Sequence, residues 1–452
     1  MESFLNRWRS GNHALNIMSG LMLLVALVLN LLGAMSAAIS GGVMAAVVGT
    51  LIWIPALLLA PAIKPAQKKQ IGVLLVVGLA GLLFASVCGD AGRFWLKALE
   101  ANQLVVVLLI GVSFLRLVAL AGVAVDESLP VGPLALQRSL FGTHIFAAVL
   151  NISAILIVGD RLAHARASQP LHTVQGLMLL RAFSACAFWS PFFAAMGLAL
   201  LSAPGSSLST LMLMGVPVAL VALGFSAWEL GRHPQVTAAM GYPMHWASLW
   251  MPILLSVLVM VAHLLWPAMA VVSLVTLIAV LFVVGWLLIK RGRAGASALK
   301  QHVEQGLPNL CSEIALFLGA AVLASGVAAT LDALQISLAP ANFGFVEAVL
   351  TLLALLAAAM AGMHPVTSVV LAGSLLGSSV TDPDLFAMTL LMGWALGIGL
   401  SPLSGIQLTL QARYGLRARA LLKENGRYAA LMLVVCVITL YVCAGRERIF
   451  GL

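Results

Sequence analysis

Residues 362–377 read GMHPVTSVVLAGSLLG and lie within one of the most apolar parts of the chain. A histidine followed by a proline in such a run marks a helix start, because proline is accepted at the first helical position, where its missing N–H would be unpaired anyway. Further on, GIGLSPLSGIQLTL (397–410) places Ser401-Pro402 inside a long apolar segment. Hydrocarbon tolerates non-helical backbone only where protein or a water-filled cavity satisfies the freed groups. The first stretch therefore predicts the tip of a membrane-embedded helical hairpin, and the second a broken helix close to it.

Composition points the same way. The 452 residues are 62% hydrophobic and 9% charged, with a mean hydropathy of +1.09, against roughly 25% charged residues in an ordinary soluble domain. Apolar stretches near the roughly 20 residues that a bilayer requires recur along the chain. Spans are predicted near 12–33, 36–61, 71–89, 101–123, 172–202, 207–230, 245–265, 268–289, 308–331, 385–411 and 428–445. Stretches 129–160 and 342–379 do not fit as simple spans. The expected fold is an all-α integral membrane protein with about 11 transmembrane helices plus two re-entrant hairpins.

The net charge of +9 comes largely from short basic loops: KPAQKK (64–69), RLAHAR (161–166), KRGRAGASALK (290–300) and RYGLRARALLKENGR (413–427). If the N-terminus is cytoplasmic and both odd stretches return to the side they enter from, all four loops face the cytoplasm, as the positive-inside rule demands. Making one stretch a simple span inverts everything after it. The basic residues thus report orientation in a bacterial inner membrane and not a nucleic-acid partner. Arg7 and Arg9 precede an apolar run that reads as a first spanning helix in preference to a cleaved signal peptide. The five cysteines have neither CxxC nor metal-ligand spacing, and no metal or cofactor is expected. HExxH and GxSxG are absent, so an enzyme is not expected, and an intramembrane enzyme stands only as the alternative from another class.

The two halves resemble one another. GTHIFAAVLNIS (142–153) answers GMHPVTSVVLAGS (362–374), and AFWSPFFAAMGLAL (187–200) answers GIGLSPLSGIQLTL. Each half gives G-x-H, an apolar arm, a charged loop and a Ser-Pro in a long apolar segment. The domain organisation read from this is an N-terminal helix (1–35) and two repeats of inverted topology. Repeat 1 (36–232) holds hairpin 129–160 and broken helix 172–202, and repeat 2 (233–452) holds hairpin 342–379 and broken helix 385–411. That is the outline of a secondary transporter with its site at the midplane between repeats.

With these features, and with SEIALFLGAAVL (312–323) before the second hairpin, the chain resembles the ion transporter superfamily. That superfamily includes divalent anion/sodium symporters, arsenite-efflux permeases, citrate permeases and some sodium/proton antiporters. The resemblance implies a hairpin-bearing transport domain moving against a scaffold, and a homodimer. In the symporters each hairpin tip carries a Ser-Asn-Thr motif that contacts substrate and sodium. The matching positions here are Gly142-Thr143-His144 and Gly362-Met363-His364-Pro365, a departure from that motif.

The candidate site follows from these features. Ser190-Pro191 and Ser401-Pro402 each place an N-cap residue before a proline, and His364-Pro365 does the same at its tip, with Thr143 and His144 as the first-half counterpart. Converging helix N-termini carry about half a positive charge each and free N–H groups, which favours an anion. Arg181, nine residues before Ser190, either faces this cavity or reaches to headgroups. His144 and His364 are candidates for proton coupling, or else caps. Asn151, Ser153, Thr367, Ser368, Ser374, Ser404 and Gln407 are candidate cavity residues. Arg116 reads as a partner of Asp126 or Glu127 or as a side chain reaching to headgroups, and Glu313 and Glu347 as carboxylates near segment ends. The expected function is secondary active transport of a small anion or anionic metabolite coupled to H+ or Na+. A proton-driven exporter of a metalloid or toxic compound is the alternative.

Overall fold

The computed structural model describes residues 12–36, 42–89, 91–119, 129–165, 170–243 and 250–445. Among them every regular element is helical, beyond an isolated antiparallel bridge between Val131 and Met240. In chain order the α-helices are α1 (His13–Met35), α2 (Gly42–Leu58), α3 (Pro65–Cys88), α4 (Gly92–Glu100), α5 (Gln103–Ser113), α6 (Arg116–Ala119), α7 (Pro133–Leu150), α8 (Ile152–Ala165), α9 (Thr173–Cys186) and α10 (Ala194–Ser202). They continue as α11 (Leu208–Leu230), α12 (Trp250–Leu265), α13 (Val271–Gln301), α14 (Cys311–Ala333), α15 (Phe345–Met360), α16 (Pro365–Leu376), α17 (Pro383–Leu400), α18 (Gly405–Tyr414) and α19 (Ala418–Ala444). Seven helical stretches among the described residues are long and apolar enough to cross a bilayer. This is a multi-pass α-helical membrane protein.

The described residues fall into two compact units, one of 12–119 with 257–338, the other of 129–256 with 339–445, less the gaps given above. The first is built on α3 and α14, which touch backbone to backbone. A Cβ placed on Gly326 would lie 2.0 Å from the carbonyl oxygen of Gly78, and one on Gly78 would lie 2.5 Å from that of Val322. In lipid there is no hydrophobic drive between helices, so close packing over small residues does the work. A core of Leu82, Ala85, Phe94, Ala98 and Val322 continues the contact towards α4. Gly326→Ala is expected to destabilise this unit by about 1–3 kcal/mol, as overpacking does. Gly285→Ala, at a position on α13 with open space around it, is expected to be neutral or stabilising by up to about 1 kcal/mol. Thermal unfolding of the two variants in detergent should therefore shift in opposite directions or differ clearly.

The second unit holds all four non-standard segments. α7 and α8 pack on one another, as do α15 and α16. α8 has 14 residues and α16 has 12, lengths of about 21 Å and 18 Å, too short for a hydrocarbon core of about 30 Å. Two helices are broken as expected, α9 from α10 around Ser190 and α17 from α18 around Ser401. The long halves α9 and α17 pack on each other. The stretch Pro383–Tyr414 is 89% buried over its most apolar window, while that of α19 is 28% buried. The broken helices are therefore interior, and α19 presents most of its surface outward.

Two local expectations are overturned. The first hairpin does not turn at Gly142-Thr143-His144: these residues lie inside α7, and the turn falls at Asn151, with φ +56. A G-x-H triplet carries no breaker by itself, whereas Asn adopts the left-handed region more readily than most residues. Ser190 and Ser401 do not cap the half-helices after the breaks, which begin three residues beyond each proline, at Ala194 and Gly405. Pro191 and Pro402 accordingly sit in the turns and not at the first helical position. Arg116 is exposed on the short helix α6, and its expected partners Asp126 and Glu127 lie outside the described residues.

Candidate functional site

The tip at 361–364 is built as its sequence indicates. Gly362 has φ +95, which relieves the tight turn of the Cβ that other residues would carry there. Pro365 is the first residue of α16, and His364 is its N-cap, Nδ1 accepting from the Val366 N–H at 3.2 Å. The same ring reaches the second break: Nε2 stands 3.3 Å from the N–H of Gly405, the first residue of α18. One imidazole thus lies between two helix N-termini. A neutral imidazole can accept at one nitrogen only, so one of these two amides always lacks an acceptor from His364.

Two buried polar side chains sit in the first turns of the same two helices. Thr367 of α16 and Gln407 of α18 are both 0% exposed, and Thr367 Oγ1 and Gln407 Oε1 have no hydrogen-bond partner among the described residues. Burying such groups unpaired costs about 1–3 kcal/mol each. Around them the break is well ordered. Ser404 caps α18 by accepting from the Gln407 N–H and donates to the carbonyl of Ile398 at 2.8 Å. Ser401 Oγ accepts from the Leu403 N–H, and Gln407 Nε2 donates to the Gly399 carbonyl. Ser368 turns its hydroxyl back to the Pro365 carbonyl at 3.1 Å.

In the first half the corresponding polar groups are all held by protein partners. Ser190 Oγ donates to the carbonyl of Ala148, three residues before the Asn151 turn, and accepts from the Phe192 N–H. His144 is buried in α7, with Nδ1 3.0 Å from the Ala182 carbonyl and Nε2 accepting from Trp189 Nε1 at 3.1 Å. That fixes the tautomer with the hydrogen on Nδ1. Cys186 Sγ lies 3.4 Å from the same ring. Both nitrogens are occupied by protein groups. His144 joins the hairpin to the break of its own half, as His364 does in the other half, but from seven residues before the turn. Thr143 packs its hydroxyl 4.0 Å from Met178 Sδ in the α7–α9 contact, and Asn151 and Ser153 are half-buried at the turn.

Arg181 lies apart from both tips. It is 1% exposed and pairs with Glu229 Oε2 at 2.7 Å. Its Nε donates to Asn425 Oδ1 at 3.0 Å, and its guanidinium stands 4.5 Å over the Tyr428 ring. It therefore faces protein, with its charge answered by a carboxylate. Asn425 Nδ2 in turn reaches the Gly399 carbonyl at 3.5 Å, so this network touches the chain just before the second break. Glu229, Asn425, Tyr428, Trp189 and Cys186 were not among the sequence candidates. A glutamate at the end of a predicted span opposite a buried arginine was the available signal for Glu229.

The remaining candidates are local. Glu347 caps α15 through the Gly344 N–H at 3.0 Å, and Asp382 caps α17 at Leu385. Asp384 accepts from the Ser207 N–H at 2.6 Å. Glu313 lies in the first turn of α14 in the other unit, with Oε2 buried and lacking a hydrogen-bond partner among the described residues, and Ser374 is half-buried on α16. Among the described residues no group of three or more His, Cys, Asp or Glu is placed to hold a metal ion. Compared with protein-family models and with curated proteins, the chain matches none.

Proposed function

We propose that this protein is a secondary active transporter of a small anion or anionic metabolite, with its site at the junction of the second hairpin tip and the second break. The observation that carries the proposal is the position of His364 between the N-termini of α16 and α18. One backbone donor is left over, two helix N-termini supply partial positive charge, and the buried Thr367 hydroxyl lacks a partner. Gln407 Oε1 adds an acceptor, which suits a donor group on the ligand or a sodium ion accompanying it. Ser401 and Ser404 hold the break in shape, and His144, Thr143 and Ser190 belong to the frame. Arg181 orders the region through Asn425 and is not a direct ligand.

The packing also supports the reading of two repeats with re-entrant hairpins. In each half the first hairpin arm lies on the long half of that half's broken helix, as α7 on α9 and α15 on α17. The second arms cross over: Gly159 of α8 meets Tyr414 of α18, and Gly373 of α16 meets Ser202 of α10. This reciprocal arrangement relates the two halves to one another. The unit bearing both hairpins and both breaks is the natural moving part, and the unit around α3 and α14 the scaffold.

Protonating His364 turns both ring nitrogens into donors facing backbone N–H groups, which releases both contacts and frees the tip from the break. This is a route for proton coupling, and a sodium ion at Gln407 is the alternative coupling. The test is a thermal-shift and counterflow screen of the purified protein against small anions across pH and sodium concentration. Stabilisation by one anion class of about 2.7 kcal/mol at a hundred times its Kd is expected, with uptake of the same anions into proteoliposomes. An absence of both across mono-, di- and tricarboxylates and inorganic oxyanions overturns the reading. Resistance instead of uptake in expressing cells would favour an exporter of a metalloid or toxic compound.

A further inference from the structure

A basic corner in the scaffold unit is not used by any transport step. α13 runs from Val271 to Gln301, but Gly292 inside it has φ +50 and ψ −123, a conformation open to glycine and strained for other residues. The chain turns there so sharply that a Cβ on Gly295 would lie 2.2 Å from the carbonyl oxygen of Leu287. Before the corner, residues 271–291 make a rod of about 32 Å, close to the thickness of a hydrocarbon core. The corner therefore falls at headgroup depth.

The two faces of that rod differ. Val272, Thr276, Ala279, Val283 and Leu287 form its buried stripe. On the other side Leu281 is 61% and Ile289 is 83% exposed, as lipid-facing apolar residues are. Trp286, one turn below the corner, is stacked on Phe282 and lies under the Lys290 ammonium at 5.7 Å. This is the position of the interfacial aromatic belt. Lys290, Arg291 and Arg293 surround the turn and are all exposed. None of them has an ion-pair partner among the described residues, and the nearest acidic residue along the chain, Glu304, faces Lys300 at 3.8 Å.

We infer that this corner binds the phosphate of an anionic phospholipid. Lys290, Arg291 and Arg293 surround the phosphodiester, Trp286 lies at the glycerol level, and the acyl chains run along Leu281 and Ile289. Charge complementarity chooses the occupant: three unpaired cations at headgroup depth meet the one anionic species that is abundant there. The corner then feeds directly into the π-turn His302–Gly306, where His302 is held by Ser113 Oγ at 2.9 Å. Lipid occupancy should therefore stabilise the scaffold unit, whatever the protein transports.

The full-length protein in a neutral detergent is titrated with short-chain phosphatidylglycerol, short-chain phosphatidylcholine or inorganic phosphate, and binding is read by native mass spectrometry and thermal shift. Saturable binding of phosphatidylglycerol alone is expected. Arg291→Gln and Arg293→Gln should each weaken it about fivefold, the equivalent of about 1 kcal/mol per basic side chain. Gly292→Ala keeps every charge, and should weaken it as well because it opens the corner. Lys97→Gln, an exposed lysine of the same unit, should leave binding unchanged. Equal binding of phosphatidylcholine, competition by inorganic phosphate at the same concentration, or an equal loss in Lys97→Gln would each overturn the assignment.

Discussion

Glu229→Ala should lower the stability of the folded protein by about 3–5 kcal/mol, the largest loss expected from a single substitution here. The substitution leaves the Arg181 guanidinium, 1% exposed, without the carboxylate that now stands 2.7 Å away. Neither the Asn425 carbonyl nor the Tyr428 ring replaces a full negative charge. Arg427, 3.9 Å from the other carboxylate oxygen but itself 79% exposed, is a surface pair worth at most about 1 kcal/mol. The measurement is chemical or thermal unfolding in detergent, and a loss below about 1 kcal/mol would show that Arg181 is solvated. Arg181→Met combined with Glu229→Leu should recover much of the loss, since a buried pair is often replaceable by apolar groups of similar volume. If Arg181 orders the second break through Asn425 and Gly399, the recovered double variant should still transport poorly.

His364→Ala removes one ring that serves two helix starts. Losing a cap and one satisfied amide should reduce stability by about 1–2 kcal/mol. A ligand contact of about 1.5–3 kcal/mol that depends on the same geometry should fall by about ten- to hundredfold in apparent affinity. His364→Asn separates the roles. Asparagine is among the best N-caps and should restore the α16 start, yet it cannot carry a proton. Counterflow in His364→Asn with the dependence of uptake on pH abolished would assign coupling to this ring. Uptake that keeps its pH dependence in that variant would remove the histidine from coupling.

The fold was legible where the sequence carried strong local signals. The all-α membrane class followed from apolar length, and both helix breaks followed from Ser-Pro in apolar surroundings, because proline removes a donor whatever its neighbours are. His364-Pro365 was legible for the same reason. The first tip was not. GTHIFAAVL contains good helix formers and no proline, so the chain stays helical through His144 until Asn151. The likeness of the two G-x-H triplets lay in residue types and not in backbone geometry.

The amino-acid sequence by itself determined that this chain lives in a bilayer, where its helices break, and which residue starts α16, since each of these is set by interactions within a few residues. Only the tertiary structure decided what the polar groups do. It gave Arg181 a partner 48 residues away in Glu229 and left Thr367 Oγ1 and Gln407 Oε1 buried without one among the described residues. It joined His364 to the N-terminus of α18, 41 residues on. Those contacts depend on which helices pack together, and packing between helices in lipid rests on small-residue fit and on single hydrogen bonds, which leave no periodic trace in sequence.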